Sequence, residues 1–452
     1  MLTERLFAIS ERGSTVRAEV LAGVATFATM AYILAVNPSV LGALPDAAGV
    51  RLDHAELVTV TALVAGVLTI AMGLFANVPF ALAAGLGINA FVAYTLVAGE
   101  GLGWAEAMGV VVVEGIVMLV LVVAGLREAV MNAIPDALKR AIGAGIGLFI
   151  AFIGFVDAGI VARPDSDAPI VALTPDLGTW TTAVFVVGLV AMAVLMARRV
   201  PGALLIGIVL STGLAIVVNQ LAAGTPIPGA VRPDRLADTP DLGLVGAFSL
   251  DFFSTLGLAA AIGLVLTVLM ANFFDAMGTA LALGRRAGLT DAAGRLPQMR
   301  RVLLVESAGA VAGGAASASS NTIYIESSAG VEQGGRTGLA NVVTGVLFLA
   351  AMFFAPLVGM IPAAATAPAL VIVGALMLSV VADIDWEDVG LAVPAFATIA
   401  LMPFTFSIAN GVGAGMVLYV LIAVLRGRWR DVHPLLAVVA GFFVWYFLHG
   451  TV

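Results

Sequence analysis

Cysteine is absent from the 452 residues, which excludes disulfides and thiolate metal sites. Histidine occurs only three times and without metal-ligand spacing, so no zinc or iron centre and no other cofactor is expected. Charge is equally scarce. Asp, Glu, Lys and Arg make up 11% of the chain, against about a quarter in soluble globular proteins. The net charge of −8, with basic residues confined to short loops, excludes a nucleic-acid-binding face. A membrane enzyme finds no support either. No nucleophile–base pair is evident, and Gly85-x-Gly87 lacks the strand–helix context of a nucleotide-binding turn. The polar first 17 residues carry Arg5, Arg12 and Arg17 and no cleavable apolar core, so they read as a cytoplasmic tail.

What the chain has in abundance is apolar sequence: 61% hydrophobic residues and a mean hydropathy of +1.10. Apolar segments near 18–41, 57–76, 81–98, 105–124, 137–158, 179–197 and 201–222 form a first set. A polar stretch follows, then segments near 253–283, 302–316, 317–333, 338–358, 366–381, 390–407, 410–425 and 434–450. This is a polytopic membrane pattern of fourteen spans or one more. Basic residues cluster at Arg127/Lys139/Arg140, Arg198/Arg199, Arg285–Arg301 and Arg426–Arg430, which the positive-inside rule puts on the cytoplasmic side. The mostly acidic loops 42–56, 159–178 and 223–252 then fall outside. The 51 glycines suit close helix packing in lipid, where small residues let backbones approach.

A weak internal repeat is visible. NAIPDALKRAIGAGIGLFIAFIGFVDAG from Asn132 resembles GMIPAAATAPALVIVGALMLSVVADIDW from Gly359, and the two start on opposite sides of the membrane. Inverted halves are a transporter architecture in which substrate binds at mid-membrane between broken helices. Two segments look broken, each third in its half. PFALAAGLGINAFVAYTLV (79–97) has two glycines before Asn89, and ASASSNTIYIESSAGV (316–331) has a strand-favouring run before Glu326 and two serines able to cap a helix. Non-helical backbone at that depth needs protein or a water-filled cavity to satisfy it.

The polar residues in these spans are candidates. A mid-membrane acid costs roughly 2.5–3.5 kcal/mol on insertion scales, so Glu326 reads as a substrate-binding carboxylate and proton carrier, the bland alternative being an acid paired with a distant arginine. Asn89 can cap a half-helix and touch a ligand. Asn272 and Asp275 share one helix face in LMANFFDAMGTALALG. Asp275 is a second proton carrier or a lock on the neighbouring broken helices, and Asn272 a ligand contact or a helix–helix hydrogen bonder. Ser327 is a further contact, and Phe27, Phe274 and Tyr324 are ring platforms or packing residues. Glu306 reads as a core-structuring acid, Glu114 as a helix–helix or domain-interface contact, and Glu332 with Arg336 as a loop salt bridge.

TFATMAYILAVNPSVLG, GLGINAFVAYTL, FFDAMGTALALG, TIYIESSAGVEQGGRTGLANVVTGVLFLAAMFFAPL and TAPALVIVGALM together resemble the AzgA-like purine permeases of the nucleobase–ascorbate transporter superfamily. The resemblance runs over nearly the whole chain. It implies an all-α polytopic protein of UraA-like fold, with fourteen segments in two inverted seven-helix repeats. It implies a tail (1–17), a core domain (18–126 and 253–360), a gate domain (127–222 and 361–452) and an extracytoplasmic loop (223–252). It further implies proton-coupled import of hypoxanthine, guanine or adenine across a bacterial inner membrane. The partners are the nucleobase, H+ and the lipid bilayer, with a homodimer through the gate domain as the assembly to test. Glu326 and Asn89 match family site positions. Span 8 departs: where the family has Asp-x-x-Asp, this chain has Asn272 and Asp275. That loss leaves an uncoupled facilitator or another nucleobase such as xanthine or uracil as alternative readings, and the architecture itself adds a small anion, which a carboxylate at 326 would repel.

Overall fold

The computed structural model describes residues 2–126, 133–163, 171–221, 226–233, 235–292 and 295–449, with the side chains of Leu2, Phe274, Asp275 and His449 outside that description. Arg127 and Asn132, read above as part of a basic loop and as the start of the repeat, therefore lie outside the described residues.

The first half runs α1 (Leu2–Phe7), α2 (Val16–Met30), α3 (Ile33–Leu41), α4 (His54–Phe75), β1 (Leu82–Ala84) and α5 (Leu86–Ala90). A π-helical segment (Phe91–Gly99) follows, then α6 (Trp104–Val123) and α7 (Asp136–Asp157). The two-residue strands β2 (Val161–Ala162) and β3 (Ala172–Leu173) precede α8 (Trp180–Ala197) and α9 (Ala203–Leu221). The second half holds α10 (Phe252–Arg286), α11 (Met299–Ala315), β4 (Asn321–Ile323), α12 (Ser327–Glu332), α13 (Gly338–Ala351) and α14 (Ala355–Gly359). It ends with α15 (Ala363–Leu378), α16 (Val389–Phe404), α17 (Ile408–Leu425) and α18 (Pro434–His449). Among the described residues, 10 helical stretches are long and apolar enough to cross a membrane, and α16 and α18 are shorter apolar helices. Helix is the form such runs take because a lipid-exposed backbone has no water to bond.

Packing sorts these elements into two sets. α2, α4, α6, α10, α11, α12 and α13 pack mainly on one another, as do α7, α8, α9, α15, α16 and α17. Within the second set α7 lies along α15, so the two Ile-Pro repeats face each other. They approach through glycine: a Cβ on Gly147 would stand 2.7 Å from the Gly374 carbonyl, and one on Gly374 would strike the Gly147 carbonyl. α4 and α13 use the same device. A Cβ on Gly345 would stand 2.5 Å from the Gly66 carbonyl, and one on Gly338 would collide with the Gly73 carbonyl. Gly257 breaks α10 near its start, with φ of 76°.

The GGRTG stretch has a structural task of its own. Glu19, fully buried, accepts the Arg336 N–H at 2.9 Å and the Thr337 N–H at 3.3 Å. A carboxylate there satisfies donors at the open start of α13. Asn77 adds its side-chain oxygen to the Gly338 N–H at 2.8 Å, and Arg12 of the tail donates to the carbonyls of Asn77 and Arg336. The expected Glu332–Arg336 salt bridge does not form. Glu332 pairs with Arg286 at 3.6 Å, while Arg336 turns back onto the Val331 and Gly335 carbonyls.

Gly338→Ala is therefore expected to lower unfolding stability in detergent by about 1–3 kcal/mol, the range for forced overpacking. Gly213→Ala, where a Cβ meets nothing within 4 Å on exposed α9, should be neutral or stabilising by a few tenths, about the helix-propensity difference. Thermal unfolding of the two variants side by side measures both.

Candidate functional site

The two interrupted segments meet. β1 pairs antiparallel with β4 in the register Leu82↔Ile323, Ala83↔Thr322 and Ala84↔Asn321, and all six residues are buried. Strands this short cannot satisfy their own backbones, and neighbouring spans supply the missing partners. The Thr69 hydroxyl of α4 both accepts the Leu82 N–H at 2.9 Å and donates to the Leu82 carbonyl at 3.0 Å. Asn341 of α13 donates to the Phe80 carbonyl at 2.8 Å. The Ser327 hydroxyl accepts the Ala81 N–H at 3.0 Å, and the Tyr324 hydroxyl donates to the Ala84 carbonyl. The chain reaches β4 through Ser317 and Ser319, both at positive φ (56° and 66°), a conformation usually left to glycine. The Ala318 carbonyl between them accepts from Asn37 at 3.3 Å.

Glu326 follows β4 and opens α12 without capping it. Its half-buried carboxylate accepts the Tyr32 hydroxyl at 2.7 Å, and among the described residues it forms no ion pair. Tyr32 stands at the break between α2 and α3. A cavity of about 110 Å³ is lined here by Tyr32, Gly85–Gly87, Thr279 and Thr322–Glu326, closed by Val373 and Met377 of the other helix set. It adjoins a vestibule of about 760 Å³ that shares Gly85, Gly87, Thr279 and Met377 and leads to Lys139, Arg140 and Arg285.

The structure brings some expected residues to this cavity and not others. Glu326 and Tyr324 line it. Ser327 is buried and holds β1 through Ala81 instead of capping α12. Phe27 packs edge-on against Phe348, with ring centres 5.1 Å apart, and Tyr32 takes the place beside Glu326. Phe274 and Asp275 have side chains outside the described residues. Asn89 does not cap α5: Gly85 holds that position, and Asn89 lies inside the helix with both amide atoms buried and without a partner among the described residues. Asn272 is fully buried, donating to Glu114 at 3.2 Å and to the Ser320 hydroxyl at 2.9 Å. Glu306 accepts from Thr322 at 3.4 Å, a core-structuring contact as expected.

Tyr32, Thr279 and Thr322 were missed from sequence. Tyr32 carried the one available signal, a hydroxyl-bearing ring in an otherwise apolar span, but no local feature marks the helix break that aims it.

Comparison with known proteins places this geometry. A model described as "Permease family" matches residues 17–414. The chain belongs to that permease family. It is 40% identical to the adenine permease AdeQ of Escherichia coli (strain K12) over 97% of this chain and 94% of that one. It is 38% identical to the guanine/hypoxanthine permease PbuG of Bacillus subtilis (strain 168), over 98% of each. Among solved structures, the transmembrane domain of the cyanobacterial bicarbonate transporter BicA matches with a TM-score of 0.62 at 18% identity, covering 87% of this chain and 97% of that one. The resemblance to the AzgA-like permeases and to the UraA-like fold is borne out, and the permease is a transporter, not an enzyme.

Thr69→Val leaves the Leu82 N–H and carbonyl buried without that partner, at a cost of about 1–3 kcal/mol. Thermal unfolding of purified permease should show that loss. Thr29→Val gives the comparison, because among the described residues its hydroxyl bonds the Ala25, Thr26 and Glu326 carbonyls and accepts from no N–H.

Proposed function

We propose that this permease imports a purine nucleobase, hypoxanthine, guanine or adenine, by proton symport. The observation that carries the reading is Glu326, a carboxylate at the crossing of two broken spans, facing a small cavity with no cation on its lining. A neutral heterocycle edged with N–H groups supplies what such a carboxylate lacks, through directional charge-assisted hydrogen bonds. A small oxyanion would be repelled by it. The likeness to a bicarbonate transporter therefore extends to fold and not to cargo.

Each nearby group has a task in this reading. Tyr32 orients the Glu326 carboxylate, and the rings of Tyr32 and Tyr324 flank the base. Asn89, whose amide has no partner among the described residues, supplies a donor and an acceptor to the base or to a water beside it. Ser327 keeps the crossing in register. Glu326 carries the proton, with Asp275 as the second candidate carrier.

The helix set containing α2, α4, α6 and α10–α13 acts as the core, and the set built on α7–α9 and α15–α17 as the gate. Rocking of one against the other exposes the site to each side in turn. The positive-inside rule puts the tail and the Lys139/Arg140/Arg285 vestibule in the cytoplasm of a bacterial cell, so this conformation is open inward. The gate set is also the candidate surface for a homodimer.

Purified permease is expected to be stabilised against heat by at least one of hypoxanthine, guanine and adenine, and by no oxyanion. Stabilisation by oxyanions alone would refute the reading. In proteoliposomes, Glu326→Gln should abolish binding or accumulation driven by an inward proton gradient. Unchanged accumulation would remove Glu326 from the proton path.

A further inference from the structure

Glu114 is the ionisable group that the site as described leaves without a task. It lies midway along α6, fully buried, and its Oε1 accepts from the Asn272 amide at 3.2 Å. The same amide nitrogen donates to Ser320 Oγ at 2.9 Å, so both of its protons are committed. Ser320 is one residue from β4, and its carbonyl accepts the Gly85 N–H at 2.9 Å. Gly85 in turn lines the cavity beneath Glu326 and starts α5. Hydrogen bonds joined through the body of Ser320 thus connect the Glu114 carboxyl, by way of the Asn272 amide, to the floor of the site.

α6 is fixed closely enough for this chain to matter. A Cβ on Gly115 would stand 2.5 Å from the Val311 nitrogen, and one on Gly314 2.8 Å from the Val112 nitrogen. With α6 held tightly against α11, a change in the Glu114 carboxyl falls on its direct contact with Asn272 of α10. Other ionisable groups on the elements packed against α6 are few. α10 carries Asp275, whose side chain lies outside the described residues, with Arg285 and Arg286 at its far end. α11 carries Glu306, engaged with Thr322, and Arg300 and Arg301 in its first turn. The π-helical segment carries Tyr94, whose ring meets Phe149 and Phe406.

We propose that Glu114 is a proton-binding positioning residue, acting through Asn272 and Ser320 on the backbone crossing that carries Glu326. Its acid stands on α6, while the facing position on α10 is an amide. In the ionised state the Asn272 contact is charge-assisted and holds Ser320 and Gly85 in place. In the neutral state that contact loses roughly half its strength and the floor of the cavity relaxes. The link to nucleobase affinity rests on the transport reading above, whereas proton binding at Glu114 does not.

The test uses the full-length permease. Infrared difference spectra across an acid-to-neutral series should show a carboxyl carbonyl band that titrates, persists in Glu326→Gln and vanishes in Glu114→Gln. Glu114→Asp, which keeps the acid, should shift the band and guards against a folding defect in the glutamine variant. In parallel, the affinity for the nucleobase that stabilises the protein should vary at least about five-fold over the series in the native chain. That variation should be at least about two-fold smaller in Glu114→Gln, the remainder belonging to Glu326, and should recover in Glu114→Gln/Asn272→Asp, which moves the acid across the contact. Spectra of Glu114→Gln that overlay those of the native chain would overturn the proposal, as would an unaltered affinity profile. If no nucleobase binds, the transport reading fails and the spectra still decide Glu114.

Discussion

Everything in this fold is arranged around an unpaired backbone at membrane depth. Lipid cannot satisfy a free N–H or carbonyl, so a helix interrupted there must be surrounded by partners. The β1–β4 crossing is that interruption, doubled. Each strand pairs with the other over three residues, and Thr69, Asn341, Ser327 and Tyr324 complete what the pairing leaves open. The two broken spans, α4 and α13, far apart in sequence, must therefore come together, and all of them lie within or beside the set of α2, α4, α6 and α10–α13.

The crossing in turn creates the site. Breaking two helices side by side leaves a cavity between the strand ends, and Glu326 enters it from the end of β4, its carboxylate held by the Tyr32 hydroxyl and, among the described residues, in no ion pair. A carboxylate so placed has acceptor capacity to spare. In the proposed reading an N–H-edged base uses that spare capacity, so that within a shared architecture one side chain would set the cargo.

The sequence was informative where the physics is local. Apolar runs of span length, the strand-favouring Thr322–Ile325 run, the acid after it and the glycines at 85 and 87 all marked the broken segments correctly. The Ile-Pro repeat located α7 and α15, which the structure packs together. Legibility failed where the third dimension chooses between equivalent partners. Asn89 has good capping chemistry, yet Gly85 takes the cap because the chain leaves β1 there. Sequence left Asn272 open between a ligand contact and a helix–helix hydrogen bond, and the second forms because its helix turns it towards α6, where Glu114 waits 158 positions away in sequence. Arg336 and Glu332 are neighbours in sequence and still do not pair, because Glu19, over 300 residues away, has claimed the adjacent backbone. A helical wheel gives the spacing of such residues and not the face that the tertiary fold makes inward.

The central claim is that the nucleobase sits against Glu326 at the crossing of the two broken spans. An experimental structure of the permease with hypoxanthine, guanine or adenine bound tests it most directly. The account predicts density for the base between Tyr32, Gly85–Gly87 and Tyr324–Glu326, with ring N–H groups at hydrogen-bond distance from the Glu326 carboxylate. A base seated elsewhere in the bundle, with Glu326 still bonded only to Tyr32, would contradict it.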